Sequence, residues 1–214
     1  MTAPSRRPRS GTNAVQIPST LWPLGPDPLD PADRWPDRAL VHTITEFSAP
    51  GARVMLLGWP APTARGTLRI IESDTAAALS TIGDLGRHGL DAPASRTWTG
   101  APVDLVVASL LADQLDPIAA AEHITALATD VLAMGGLLVV FSRCRHSDSG
   151  TLFDPAGSVV AAAQSADLLY LQHIIAAPIS GHRITAPASP TPSSTARHTV
   201  AHTDVFVFLQ PAHG

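Results

Sequence analysis

Short apolar runs alternate with amphipathic segments along most of this chain. Two runs, 103–109 and 137–142, are continuous enough for strands buried on both faces of a parallel sheet. The predicted strands are residues 53–58, 68–72, 103–109, 137–142, 168–176 and 205–209, and the predicted helices begin near residues 37, 74, 116 and 154. This alternation predicts one α/β domain with a mostly parallel sheet.

Residue types at the predicted helix starts support this pattern. The pairs Asp116–Pro117 and Asp154–Pro155 each combine an N-cap residue with a proline suited to the first helical turn. Asp74 offers a similar N-cap for the helix before them, and Gly83, Gly86 and Gly89 weaken that helix. We therefore expect four helices, of which the second is the weakest.

The connection between the first two predicted strands is unusually short. Only residues 59–67 separate the strands 53–58 and 68–72, and they include Pro60 and Pro62. A crossover between parallel strands needs roughly a dozen residues or more, usually with a helix. Either this helix is shortened or absent, or the two strands form a hairpin, or one strand is misassigned.

Composition limits the class of protein. The 214 residues are 45% hydrophobic with a formal charge of −4, so bulk charge provides no attraction to nucleic acid or anionic membranes. No apolar run approaches the roughly 18 residues of a membrane span, and the single cysteine, Cys144, cannot form an internal disulfide. These features predict a soluble cytoplasmic protein. Residues 1–36 are rich in proline and polar residues and predict a flexible arm and strap before a domain at 37–214.

Several segments carry a family resemblance. Residues 136–176, residues 202–211 and the spaced set Gly150, Leu152, Asp154 and Gly157 are similar to the C-terminal half of bacterial DNA N6-adenine and N4-cytosine methylases. Leu21–Trp22–Pro23 and the entry to the first strand at 50–54 also resemble that family. The resemblance implies a Rossmann-like class I methyltransferase fold, mostly parallel with an antiparallel C-terminal strand.

The same resemblance suggests where S-adenosylmethionine would bind. The family has a glycine-rich turn after the first strand, because the backbone must approach the cofactor closely. Here only Gly58 matches, and Trp59 and Pro60 follow it. The family also ends its second strand in an acid that binds the ribose hydroxyls, a role open to Glu72 or Asp74. Glu72 is equally explained as a solvated strand end and Asp74 as a helix N-cap.

The catalytic motif differs more. In these amino-methyltransferases the fourth strand ends in Asp, Asn or Ser followed by two prolines and an aromatic residue that stacks on the flipped base. This chain has Ser109–Leu110–Leu111–Ala112, so only Ser109 matches. We therefore expect a degenerate, non-catalytic binding or partner module, with a protein or nucleic acid as partner. The alternative is an active S-adenosylmethionine-dependent methyltransferase with an atypical cofactor loop, acting on nucleic acid or a small molecule.

Other candidate chemistry is weaker. The run 143–146 (RCRH) after the fifth strand is either a small anion-binding patch or a solvated turn. His198 and His202 have the spacing of a helical metal pair but no carboxylate or thiolate at ligand spacing, so no metal site is expected. Trp98 is either an adenine-stacking ring or a rim aromatic.

Overall fold

The protein is described by a computed structural model for residues 20–30, 32–58, 75–92, 98–111, 117–146, 151–186 and 200–212. Within these residues, helices alternate with the strands of one main sheet and two small strand pairs. The elements in chain order are β1 (Leu21–Pro23), α1 (Asp37–Phe47), β2 (Arg53–Gly58), α2 (Ala76–Asp84), β3 (His88–Asp91), β4 (Val103–Ser109), α3 (Pro117–Val131), β5 (Leu132–Ser142), β6 (Arg145–His146), β7 (Leu152–Phe153), α4 (Ala156–Ser165), β8 (Leu169–Ala177), β9 (Ile179–Ser180), β10 (Arg183–Ile184) and β11 (Thr203–Leu209).

The main sheet has the strand order β1-β8-β11-β5-β4-β2-β3. β2 pairs in parallel with β3 and with β4, β4 pairs in parallel with β5, and β1 pairs in parallel with β8. Only β11 runs antiparallel, to both β5 and β8. The expected Rossmann-like α/β fold, mostly parallel with an antiparallel C-terminal strand, is confirmed.

Helices cover both faces of this sheet. Successive strand residues point to opposite faces, so neighbours such as Val106 and Val107 belong to different hydrophobic layers. Val106 lies in the layer packed against α3 and α4, and Val107 in the layer packed against α1 and α2. Phe141, Phe206 and other large side chains are almost fully buried in these layers. Burial on both faces explains the uninterrupted apolar runs of β4 and β5.

The strand β3 was not predicted from the sequence. The helix α2 was expected to continue through this region, but it ends at Asp84, and Gly86 follows with φ of +74°. A left-handed residue at this point ends the helix and suits glycine. The crossover from β2 to its parallel neighbour β3 contains the helix α2. The predicted strand 68–72 and its hairpin alternative lie outside the described residues.

Two further boundaries differ from the predictions. α3 ends at Val131 and β5 begins at once at Leu132, five residues earlier than predicted, because a register shift and Gly135 with φ of +79° accommodate the extension. The chain between the predicted strands 168–176 and 205–209 contains the hairpin β9–β10. The segment predicted to be an arm and strap contributes a strand to the main sheet, since Leu21–Pro23 pairs with β8.

Candidate functional site

The carboxyl ends of β2 and β4 meet at the point where the strand order reverses. From β2 the chain continues through α2 to β3 on one side, and from β4 through α3 to β5 on the other side. Open α/β sheets bind ligands in the crevice at such a switch point. Gly58 and Ser109 are register partners there, so the structure brings together two of the four predicted site residues. Glu72 and Asp74 lie outside the described residues.

Ser109 is engaged within the protein. Its side chain is on the face of α1 and α2, and the residue is only 4% exposed. The Ser109 hydroxyl donates to the backbone carbonyl of Arg34 over 2.5 Å and accepts a longer bond from the Leu111 amide at 3.4 Å. The following residues, Leu110 and Leu111, are buried in opposite hydrophobic layers. This strand end therefore presents neither an accessible hydroxyl nor an aromatic platform.

The bond to Arg34 belongs to a longer contact between the sheet edge and an N-terminal segment. We call residues 24–30 and 32–35 the strap. The strap begins beside β8, where the Leu24 amide donates to the Ala177 carbonyl over 2.8 Å. It reaches the end of β4 at Arg34, and Trp35 then packs in the layer of α1 and α2. The strap thus crosses the carboxyl edge of the sheet from β8 to β4.

Arg143 holds the middle of this crossing. It directly follows β5 and is 9% exposed. Its guanidinium donates to the carbonyl of Leu111 over 2.8 Å and to the carbonyl of Asp30 in the strap over 3.4 Å. Arg143 therefore joins the strap to the turn after β4, and an anion-binding role for this residue finds no support in these contacts. This role could not be predicted from the sequence, because Asp30 lies 113 positions from Arg143 along the chain.

The rest of the run after β5 has a structural explanation as well. Burial raises the pKa of the Cys144 thiol, and the carboxylates of Asp154 and Asp204 raise it further. The thiol therefore stays protonated at neutral pH and lacks the character of a nucleophile. Arg145 and His146 form the short strand β6, which pairs with β7.

An acidic residue that the sequence analysis missed stands at the end of β3. Asp91 is exposed, and its carboxylate accepts a hydrogen bond from the Thr75 hydroxyl over 3.1 Å. Thr75 is 1% exposed and directly precedes α2. Because β3 is the parallel neighbour of β2, Asp91 and Gly58 end adjacent strands at the same edge. The signal was hidden because β3 itself was not predicted.

A cleft of about 270 Å³ lies between the strap, α1 and α2. Asp33, Arg34 and Trp35 line it from the strap, and Leu40, Ala78 and others line it from the two helices. Pockets for drug-sized ligands usually span about 300–1,000 Å³. The cleft therefore has room for a small group but not for a whole nucleoside cofactor without rearrangement.

A second polar cluster lies on the opposite half of the edge. Asp204 in β11 is 5% exposed, and its Oδ1 atom is 2.8 Å from His173 Nε2 and 3.3 Å from His202 Nε2. Burial raises the pKa of Asp204, but the hydrogen bonds and charges of His202 and His173 outweigh it, so the net pKa is lowered. The hydrogen bond to Asp204 raises the pKa of His202 more than burial lowers it.

The remaining candidate features of the sequence are a rim tryptophan, a histidine pair and the question of metal and membrane sites. Trp98 packs at the rim of the layer of α3 and α4, and its indole N–H donates to the Ala101 carbonyl over 3.1 Å. His198 lies outside the described residues. In the part of the chain that the structure describes, no three His, Cys, Asp or Glu side chains are grouped to hold a metal ion. Among those same residues, no helix is long and apolar enough to cross a membrane.

Comparisons with known proteins concern the fold. No family model matches the sequence, and no curated protein matches it. Among solved structures, the 1,6-didemethyltoxoflavin-N1-methyltransferase of Burkholderia thailandensis is similar at 13% identity and a TM-score of 0.47, over 86% of this chain and 80% of that chain. The N-methyltransferase NodS of Bradyrhizobium japonicum gives 13% identity and a TM-score of 0.43, over 82% of this chain and 94% of that chain.

A third similar structure is the [4+2]-cyclase SpnF, at 15% identity and a TM-score of 0.41, over 69% of this chain and 64% of that chain. The solved structures that this chain resembles are thus mainly S-adenosylmethionine-dependent methyltransferases. At these identities the likeness concerns the fold alone, and a fold does not determine a reaction. The expected closeness to DNA methylases stays a prediction.

Proposed function

We propose that this chain is a degenerate methyltransferase-like domain that does not methylate nucleic-acid bases and acts in the cytoplasm as a binding or partner module. The observation that carries the proposal is the buried hydrogen bond from Ser109 to the Arg34 carbonyl. The partner is a protein or a nucleic acid, bound through a local surface, because the formal charge of −4 provides no general attraction to phosphates.

Methyl transfer to a base amine requires two features at the end of the fourth strand. The acceptor nitrogen needs hydrogen-bond acceptors at the end of the fourth strand that orient its lone pair, and the flipped base needs a stacking surface. Ser109 is 4% exposed and its hydroxyl donates to the strap, so it does not reach an incoming amine. Arg143 reinforces the closure by binding the carbonyls of Leu111 and Asp30.

A second candidate function, an active S-adenosylmethionine-dependent enzyme, is favoured by one observation. Asp91 is an exposed carboxylate at the end of β3, beside the exposed Gly58 that ends β2. A carboxylate accepts two hydrogen bonds, which suits the two hydroxyls of a ribose. Asp91 would hold that sugar, and the cofactor would supply the methyl group. The carboxyl edge at β2 and β3 therefore offers exposed groups to a cofactor, whereas Ser109 at the edge of β4 is buried away from a methyl acceptor.

Two measurements separate these candidates. The first is calorimetric titration of the whole protein with S-adenosylmethionine and with S-adenosylhomocysteine, in the wild type, Asp91→Asn and Asp84→Asn. Asp84 is an exposed carboxylate at the end of α2 and serves as the matched control. We expect no binding tighter than about a millimolar, which corresponds to about −4 kcal/mol. Micromolar binding that Asp91→Asn abolishes and Asp84→Asn preserves would instead favour the enzyme.

The second measurement is transfer of labelled methyl groups from S-adenosylmethionine to DNA and RNA. We expect incorporation no greater than that of a blank without protein. Incorporation that depends on this protein overturns the non-catalytic proposal, whatever the titration gives. Binding of cofactor without incorporation keeps it and adds a cofactor to the module.

A further inference from the structure

The cluster of His173, Asp204 and His202 joins two strands at the carboxyl edge of the sheet. His173 belongs to β8, whereas Asp204 lies near the beginning of β11 and His202 directly precedes that strand. Both imidazole Nε2 atoms contact the same carboxylate oxygen, at 2.8 Å and 3.3 Å. The His173 ring also stacks on Phe206, with 4.5 Å between ring centroids, which fixes its position on the strand. One buried oxygen atom thus connects two half-exposed rings.

The surroundings of the carboxylate make its charge balance dependent on those rings. Asp204 is 5% exposed, and its register partner in β5 is Ser142, which is fully buried. The Ser142 hydroxyl has no hydrogen-bond partner within the described residues. Burying a carboxylate is costly unless it is paired and hydrogen-bonded. A protonated imidazole supplies the counter-charge, whereas a neutral imidazole supplies only an N–H donor.

The neighbouring titratable and charged groups do not replace this counter-charge. Cys144, beyond β5, is neutral as a thiol, and Asp154, before α4, carries a negative charge and accepts a hydrogen bond from the Ala156 amide. Arg143 donates to two backbone carbonyls, and Arg145 lies in the strand β6. Only His202 and His173 act to lower the pKa of Asp204. Protonation of His202 therefore supplies the counter-charge to Asp204.

We propose that His173, Asp204 and His202 form a proton-controlled tie between the beginning of β11 and β8. Protonated His202 balances the charge of the carboxylate that contacts His173 across the two strands, and neutral His202 loosens this contact. Thr203 pairs with Ala176 and Ala176 pairs with Trp22 in β1, so the tie lies near β1 in the sheet. This inference is independent of the proposed function.

The direction of the effect follows from the two shifts. Because the pKa of His202 is raised, its stabilisation of the contact with Asp204 is complete below the ordinary histidine pKa, near 6.5. This stabilisation is lost as the pH rises through the folded-state pKa of His202. A lowered pKa for Asp204 means that its contribution is complete above the ordinary value, near 3.8, and is lost as the pH falls through the folded-state value. The tie is strongest between these limits, so it loosens as the pH rises through the folded-state pKa of His202.

The test is amide hydrogen exchange of the whole protein between about pH 5 and about pH 8, corrected for the intrinsic exchange rate. His202→Gln keeps an N–H donor but removes the titration of His202, and the double variant His173→Gln with His202→Gln also replaces the ring on β8. His182→Gln, at an exposed histidine in the turn between β9 and β10, is the matched control. In the wild type and the control, we expect the opening of peptides covering the start of β11 and the end of β8 to increase severalfold as the pH rises.

In His202→Gln and in the double variant this increase should be absent. An equal increase in the wild type and His202→Gln overturns the proposal. A second readout uses the imidazole titration followed by NMR in the wild type and in Asp204→Asn. The tie requires that the pKa of His202 falls when the carboxylate is replaced. An unchanged pKa for His202 in a folded Asp204→Asn protein also overturns it.

Discussion

Replacing Ser109 by alanine tests whether its hydrogen bond holds the strap against the sheet edge. The substitution removes one short hydrogen bond at a 4% exposed position and leaves the Arg34 carbonyl without that donor. A buried neutral hydrogen bond contributes about 1 kcal/mol, and an acceptor left unsatisfied costs about 1–3 kcal/mol. Arg34 is half-buried, so water reaches part of this region and reduces the second cost. We expect Ser109→Ala to lower the free energy of unfolding by about 1–2 kcal/mol.

Two assays follow this change, one global and one local. For a chain of this length, such a loss lowers Tm by roughly 2–8 °C. Limited trypsin digestion reports local opening, because cleavage after Arg34 requires the strap to leave the edge. We expect that cleavage to accelerate about tenfold for each 1.4 kcal/mol of lost local stability, relative to cleavage after the exposed Arg183. Ser80→Ala, at an exposed position of α2, is the control and should change neither quantity measurably.

One combination of results would show that Ser109 does not hold the strap. If Ser109→Ala lowers Tm but leaves the cleavage rate after Arg34 equal to that of Ser80→Ala, the bond stabilises β4 and does not hold the strap. The strap would then be held by its other contacts, including those of Leu24, Trp35 and Arg143, and the Ser109 contact would no longer carry the proposed function.

Two further substitutions test how the N-terminal segment is anchored. Gly25→Ala places a side chain at φ of +91° and only 2.0 Å from the Arg38 guanidinium, which is flexible enough to move; the remaining backbone strain should cost about 1–2 kcal/mol in urea unfolding. A loss within about 0.5 kcal/mol would contradict this conformation. Trp22→Ala removes a 6% exposed ring that stacks on His42 and should cost about 3–5 kcal/mol, whereas Leu21→Ala at a 44% exposed neighbour should cost far less. Equal losses for both would contradict the burial of β1.

The sequence predicted the central strands because their pattern is set by local composition. Most residues of β4 and of the second half of β5 are apolar and buried, which suits strands covered on both faces of a sheet. β3 has the sequence HGLD, and its residues are largely exposed. An edge strand of this kind has no alternating pattern, and its pairing with β2 is decided by tertiary contacts. The better signal was Gly86, which suits a helix C-terminus more than a helix interior.

Part of the candidate site was also predictable. Gly58 and Ser109 were found from their positions at strand ends, and parallel pairing of β2 with β4 makes them neighbours. The closure of that edge was not predictable, because its contacts join distant residues. Ser109 and Arg34 are 75 positions apart, and both Arg34 and Asp30 contribute backbone carbonyls, which carry no residue-type signal. The role of Asp204 likewise becomes evident only in the folded protein, where β8 places His173 beside it.

The carboxyl edge of the sheet therefore consists of two halves with different chemistry. On the half formed by β2 and β3, Gly58 and Asp91 are exposed. On the half formed by β4 and β5, the hydroxyl of Ser109 and the guanidinium of Arg143 both bind the strap. In the family that the sequence resembles, the first half holds the cofactor and the second receives the methyl acceptor. Under the proposed function, closure of the second half blocks the acceptor whether or not a cofactor binds to the first. A positive titration alone therefore does not establish an enzyme, and the incorporation of labelled methyl groups decides between the two candidates.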